Sequence, residues 1–336
     1  VSATQPVIPE HRRMPRAVAL GGAVAVGILT ALQARVNGSL GHEMGDGFVA
    51  AFVSFSSGFV ILVVLSLALP AGRAGLRRLA TGVRHGHVPI WMLLGGLAGA
   101  LTVATQGLTV AIIGVALFTV GVVAGQTVNG LVLDRVGYGP AGVVPLTWGR
   151  IIGGAVVLAA VVVLVSSEGT TAVPWWMLLL PFVSGAGIAW QQATNGRLRQ
   201  AVESPLTATL VNFAGGTAAL AIAGGVHGAV SGLHVTVPGA GWLYLGGAIG
   251  VVYIFLSAAL VRHTGVLLLG LGSVVGLLAT SVTLDAIWPP ESGPNPAIAL
   301  AGVVVALAGV VIAAARRRQR AGGSADRTSA GSTPRS

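Results

Sequence analysis

"LQARVNGSL", residues 32–40, and "WQQATNGRL", residues 190–198, each carry Gln-x-x-x-Asn-Gly at the far end of a long apolar run. Setting Gln33 on Gln191 shifts the chain by 158 and also matches Asn37 to Asn195, Gly38 to Gly196, Leu40 to Leu198, Phe55 to Phe213 and Gly58 to Gly216. After a shorter loop the shift becomes 151. Trp91, Gly95, Gly96 and Gly99 then fall on Trp242, Gly246, Gly247 and Gly250, and Gly114, Gly121, Gly125 and Asp134 fall on Gly265, Gly272, Gly276 and Asp285. Ordered matches through successive apolar runs identify an internal repeat more firmly than any single motif.

The runs themselves are membrane-spanning in composition. The chain is 54% hydrophobic and 8% charged, where soluble domains carry roughly 25% charged residues. A bilayer core about 30 Å thick needs about 20 helical residues to cross. Ten stretches qualify: 17–37, 47–69, 89–111, 114–133, 144–166, 174–196, 205–227, 240–262, 265–286 and 296–315. They contain many of the 51 glycines, which suits helices packed by close backbone contact. An all-α integral membrane fold is expected, because a barrel would alternate over segments of about ten residues. The first run, preceded by Arg12, Arg13 and Arg16, lacks a small-x-small cleavage site and carries the repeated motif, so it reads as a helix and not a signal peptide.

Charge sets the orientation. The net charge of +10 comes from 19 arginines and no lysine. Arginine beside apolar runs orients spans before it suggests nucleic-acid binding, and no nucleic-acid partner is expected. With the N-terminus inside, the inner segments hold Arg12, Arg13 and Arg16; Arg73, Arg77, Arg78 and Arg84; Arg135; Arg197 and Arg199; Arg262; and the arginines from Arg316 onward. The outer loops hold none, and Arg35 and Arg150 lie within spans. Both termini are therefore expected on the cytoplasmic side of a bacterial-type inner membrane.

Each repeat has five runs, an odd number, so the second must enter the membrane upside down. Loop 70–88 carries four arginines and its counterpart 228–239 none. Inverted repeats about an axis in the membrane plane are an architecture of secondary transporters. The expected organisation is a tail over 1–16, a five-helix repeat over 17–166, its inverted partner over 167–315 and a basic disordered tail over 316–336.

"LQARVNGSLG…AAFVSFSSG", "WMLLGGLAGA" and "GVVAGQ", with "WQQATNGRL…LVNFAGG" and "WLYLGGAIG" in the second half, resemble the YdcZ-like inner-membrane exporters of the drug/metabolite transporter (DMT, EamA-like) superfamily, here as two fused five-helix domains. The resemblance covers about residues 17–315 and implies ten helices, a cavity lined mainly by helices 1, 3, 4, 6, 8 and 9, and helices 5 and 10 at the periphery. "GSVVGL" departs from it by placing Leu277 opposite Gln126.

Polar groups inside the spans are the candidate site. Gln33 and Asn37, like Gln191 and Asn195, share a helix face at a spacing of four. One reading gives them solute contact or gating; the other makes Asn-Gly a helix stop, with Gly38 and Gly196 free to take positive φ and Gln bonded across helices. Gln106, Gln126 and Asn129 divide in the same way between solute and helix partners. Asn212, in place of Ser54, reads first as helix glue, and Tyr253 as cavity wall or packing. Arg150 reads as a snorkelling cation or a counter-charge for an anionic solute; Arg35 is expected to snorkel toward Glu43 or Asp46. None of the nine acids lies deep in a span, so proton coupling through an intramembrane carboxylate has no support, although His263 and Asp285 stay open as proton carriers. Four Gly-x-x-x-Gly pairs, Gly95/Gly99, Gly121/Gly125, Gly246/Gly250 and Gly272/Gly276, read as tight helix seams.

"GYGPAG", residues 137–142, follows a transmembrane run and not a strand, and "HEMGD", residues 42–46, lacks the second histidine of a zinc protease. No metal site, bound cofactor or catalytic constellation is expected. The chain reads as a secondary transporter exporting a small metabolite or drug-like compound by alternating access, with the bilayer and a small-molecule solute as partners. A coupling ion or proton and a homodimer stay open. The rival readings are a membrane enzyme acting on a lipid or isoprenoid carrier, and a non-transporting membrane partner or sensor.

Overall fold

The computed structural model describes residues 16–139, 142–143, 145–166, 173–232 and 235–314. Apart from Arg16, the first helical residue, the two expected tails lie outside the described residues, as do the side chains of Arg262 and His263. The described residues are helical and contain no strand: α1 (Arg16–Met44), α2 (Gly47–Ala68), α3 (Pro70–Arg84), α4 (Gly95–Val136), α5 (Trp148–Val165), α6 (Trp175–Val202), α7 (Pro205–Ser231), α8 (Gly246–Ile287) and α9 (Pro296–Ala314). Among them, six helices are long and apolar enough to cross a membrane by length and composition. Their outer faces carry exposed apolar side chains such as Val60, Val64, Val163 and Ile222, as lipid contact requires.

The 42 residues of α4 are two helices, because Gly114 has φ 82 and ψ 162, a conformation open to glycine alone. Contacts along α6 give their directions. On the limb before Gly114, Thr105 meets Ser184, Ala98 meets Gly187 and Gly95 meets Asn195, so numbers fall as those of α6 rise. On the limb after it, Gly121 meets Pro181, Gln126 meets Gly185 and Asn129 meets Ala186, so they rise together. The limbs are therefore antiparallel, and Gly114 is the turn of a helical hairpin.

α8 repeats the arrangement around α1. Gly246 meets Asn37, Gly250 meets Gln33 and Leu260 meets Gly22, whereas Gly272 meets Ala23 and Gly276 meets Val24. Twelve residues of straight helix would separate Leu260 from Gly272 by about 18 Å. Both reach the same level of α1, so the chain doubles back between them. Each repeat's first helix thus packs into the hairpin of the other repeat. The contacts also exchange in equivalent pairs: Gly58 touches Phe213 and Gly216 touches Phe55, with the two rings 4.9 Å apart. α5 and α9 meet through Gly153 and Gly309.

Two expectations are corrected. Asn-Gly does not end either motif's helix: α1 continues to Met44 and α6 to Val202. The stops lie at the equivalent residues Gly45 (φ 71) and Glu203 (φ 47). The Asp46 carboxylate then accepts from the N–H groups of Phe48 and Val49 at 2.8 and 3.1 Å, and the Ser204 hydroxyl accepts from Thr207 N–H at 3.2 Å. These caps satisfy donors at the start of the next helix and fix the break there. Gly38 instead admits Val110 of α4.

The second correction is α3, which occupies most of the expected loop 70–88. Pro70 opens it, Leu76 and Leu79 pack inward, and Arg73 donates to the carbonyls of Leu67 and Ala68 at 2.7 and 3.0 Å. The guanidinium so covers acceptors left open at the end of α2. Arg78 pairs with Glu203 at 3.0 Å. α3, both ends of α4, the start of α5 and the end of α6 thus share one end of the molecule, and that end holds the arginines of these segments, Arg73, Arg77, Arg78, Arg84, Arg135, Arg150, Arg197 and Arg199.

Candidate functional site

The first amide motif is fully engaged with protein. Gln33 Nε2 donates to the Gly246 carbonyl at 2.9 Å. Asn37 Nδ2 donates to Gln106 Oε1 at 2.7 Å, and Asn37 Oδ1 accepts from the Ser54 hydroxyl at 2.9 Å. All four side chains are buried. Glycine makes the approach possible: a Cβ at Gly246 or Gly250 would stand within 3.0 Å of the Asn37 or Gln33 amide. Gly95 and Gly99 receive Asn195 and Gln191 in the same way. Two of the four Gly-x-x-x-Gly pairs are therefore receptacles for amides, while Gly121/Gly125 and Gly272/Gly276 face α6 and α1, with Gly125 and Gly276 against backbone carbonyls as the seam reading expects.

The second motif has the same frame and different partners. Gln191 Nε2 donates to Asn212 Oδ1 at 2.9 Å, joining α6 to α7. The position equivalent to Gln106, at a shift of 151, is Ser257, too short to replace an amide partner. Asn195 Oδ1 is buried with no hydrogen-bond partner. Its neighbour Thr194 lies 3.0 Å from the Tyr138 hydroxyl.

The remaining candidates are divided. Gln126 Nε2 donates to Gln192 Oε1 at 3.1 Å, and Asn129 Nδ2 donates to the Ala186 carbonyl at 2.6 Å, both on the face shared by α4 and α6. Arg150 pairs with Asp134, so the cation already has a counter-charge within the protein. Tyr253 is half-buried on the first limb of α8, apart from these networks. Arg35 reaches neither Glu43 nor Asp46. Its guanidinium lies 6.0 Å from the Trp288 ring and acts on the charge of Asp285, because α1 continues past it and keeps it under the segment that follows α8. Ser54, Gln192 and the Thr105–Ser184 bond of 2.9 Å were missed from sequence; the first two were signalled by the Ser54/Asn212 match and the Gln191–Gln192 doublet.

The two ends of the molecule differ. On the arginine-rich half of the molecule a crevice of about 570 Å³ lies between both limbs of α4 over α6, walled by apolar side chains including Leu101, Val132, Phe182 and Trp190, with Asn129 among them. Leu101, Val132 and Val183 are exposed, so it is open along the outer face of the helices. Beside it, Arg197 stands 5.1 Å from Tyr138 and 5.6 Å from Trp91, and Trp190 Nε1 donates to the Tyr138 hydroxyl at 3.1 Å.

The opposite end is closed. The Asp285 carboxylate accepts from Val115 N–H at 2.8 Å and Ala116 N–H at 2.7 Å, just beyond the Gly114 turn. Glu291 and Ser292 donate their backbone N–H groups to Ala111 and Ile112 carbonyls at 3.1 and 2.7 Å, and His42 meets Glu291 at 3.1 Å. Beneath them Val110, Ile113 and Val115 are fully buried.

None of the curated proteins compared matches the chain significantly. A family profile matches twice, over residues 18–163 and 169–312, once on each copy of the repeat that exchanges contacts across α1, α4, α6 and α8. The chain is a membrane protein with transmembrane helices and belongs to the drug/metabolite transporter family DMT_YdcZ, described as "Putative inner membrane exporter, YdcZ".

Proposed function

We propose that the protein is a secondary transporter that exports a small metabolite or drug-like compound by alternating access, through ten spans arranged as two inverted five-helix repeats. Counting each limb of α4 and α8 as a span, together with α1, α2, α5, α6, α7 and α9, gives the ten. α3 then lies at the cytoplasmic surface with its arginines, and both termini face the cytoplasm. The observation that carries the reading is the pairing of near-equivalent packing in the two repeats with unequal halves, one joined around Asp285 and one bearing the open crevice over α6. Two interchangeable arrangements of equivalent halves are what alternating access needs. In the present arrangement the solute would reach Phe182, Trp190 and the Asn129 amide through the open side of the crevice, in the arginine-rich half. The mostly apolar wall suits an uncharged or weakly polar compound.

The test is a thermal-stability screen of detergent-solubilised protein against metabolites and toxic compounds, run beside Ala186→Trp, which fills the crevice. A compound at 100 times its dissociation constant is expected to stabilise the native chain by about 2.7 kcal/mol and the filled variant by much less. Each hit is then taken to counterflow in proteoliposomes. A compound that stabilises the protein through the crevice and never crosses the bilayer would make the protein a membrane sensor and sink the transport reading.

A further inference from the structure

Asp285 is the carboxylate that the chemistry described so far leaves unexplained. It stands at the repeat position of Asp134, yet the two are used differently. Asp134 is paired with Arg150. Asp285 makes no ion pair among the described residues. Instead each of its oxygens accepts one backbone N–H, from Val115 and from Ala116. These are the first donors of the second limb of α4, immediately after the Gly114 turn, and they would otherwise be unsatisfied helix-terminal groups. A negative charge is favoured there by the helix dipole as well as by the two bonds.

Such an attachment depends on the ionised form. With both oxygens acting as acceptors, a carboxylate makes charge-assisted bonds roughly twice as strong as neutral ones. A proton on either oxygen removes that charge and turns the oxygen into a donor facing other donors. The attachment also sits where opening would matter, since it joins the hairpin of one repeat to the end of the other repeat's hairpin over fully buried Val115.

We propose that Asp285 is a proton-binding latch at the outer mouth: ionised, it holds the Gly114 hairpin closed, and a proton arriving from the outside releases it. The proton adds to a carboxylate oxygen and leaves again as the mouth recloses. No other bond is made or broken. The groups facing the carboxylate define the competition. The Arg35 guanidinium on α1 acts on its charge, and the His42–Glu291 pair lies at the same closed end. The turn segment 111–118 and α9 contain no titratable side chain. The proposal rests on the transport reading for its purpose, but its test needs neither substrate nor flux.

The chain has no cysteine, so Val115→Cys supplies a single buried reporter for a membrane-impermeant maleimide applied from outside. Because the thiolate is the reactive form, each labelling rate is divided by that of the same cysteine in unfolded protein at the same pH. The corrected rate is expected to be slow at neutral pH and to rise at least tenfold on acidification. Adding Asp285→Asn, which keeps the shape and removes the charge, is expected to give the fast corrected rate at every pH. A corrected rate that is flat with pH in the chain retaining Asp285 overturns the proposal. So does a pH-dependent rate that Asp285→Asn leaves intact, which would assign the titration to His42 or Glu291. Should the Asn variant fail to fold, the profile is repeated with His42→Gln and Glu291→Gln in the chain retaining Asp285: a pH dependence that persists keeps the latch at Asp285, and one that disappears overturns the proposal. No overturning result touches the transport reading, which the counterflow assay tests separately.

Discussion

Alanine at Gly125 is expected to lower stability by about 3 kcal/mol, while alanine at Gly130, on the same limb of the same helix, is expected to leave it unchanged or raise it by up to about 1 kcal/mol. At Gly125 a Cβ would fall well inside 3.0 Å of the Phe182 carbonyl oxygen and close to Ala186 N. Backbone atoms of α6 cannot swing aside as a long side chain can. The two helices must separate, and Thr105–Ser184, Asn129–Ala186 and Gln126–Gln192 loosen with them. At Gly130 nothing lies within 4 Å, so the methyl group meets open space and the helix gains from a better former. Gly276→Ala repeats the experiment in the other half, because its Cβ would strike the Val24 carbonyl. Melting curves in one detergent compare the three variants. Equal effects at Gly125 and Gly130 would mean that the α4–α6 seam is not packed as described.

That contrast marks what the sequence could and could not convey. The period of the repeat is written in side chains, and Gly125, Gly276 and their partners fall where the shifts of 158 and 151 put them. The Gly114 break was legible as a gap between runs 89–111 and 114–133, though not as a hairpin of two abutting helices. The helix ends were misread because Asn-Gly is a common stop in isolation. Here Gly38 is occupied by Val110 and the stops moved to Gly45 and Glu203, where Asp46 and Ser204 cap the following helices. The amides were found, but their partners could not be. Gln106 is 69 residues from Asn37, and Gly246 is 213 from Gln33. Which of four glycine pairs receives an amide and which a backbone depends on what the inverted copy brings against it. Asp285 was legible only as an open proton carrier, because its two partners are backbone N–H groups, which leave no mark in the sequence.

The two asparagines of the repeated motif are expected to respond oppositely to the same change. Asn37→Ala strands two partners at once: Gln106 Oε1 loses its donor and the Ser54 hydroxyl loses its acceptor, both in a buried setting. A buried polar group left unsatisfied costs about 1–3 kcal/mol, and interhelical bonds in membranes fall toward the lower part of that range because the unfolded helices find other partners. A loss of about 2 kcal/mol is expected for Asn37→Ala, with the helix contacts of α1 weakened accordingly. Asn195→Ala removes a buried acceptor that has no protein partner, so its cost is expected to stay below about 1 kcal/mol. Under the transport proposal, that unpartnered oxygen is the amide group a solute or a water would reach when the surrounding helices part. In counterflow Asn195→Ala is expected to reduce flux of a screened substrate in a protein that melts normally, while Asn37→Ala reduces the amount of folded protein and leaves flux per folded molecule near the native value. Melting temperature and flux measured on the same two preparations separate these effects. Equal destabilisation by the two variants, with flux per folded molecule unchanged in both, would make the amides equivalent helix glue and move the search for the solute contact to Asn129 and the crevice wall.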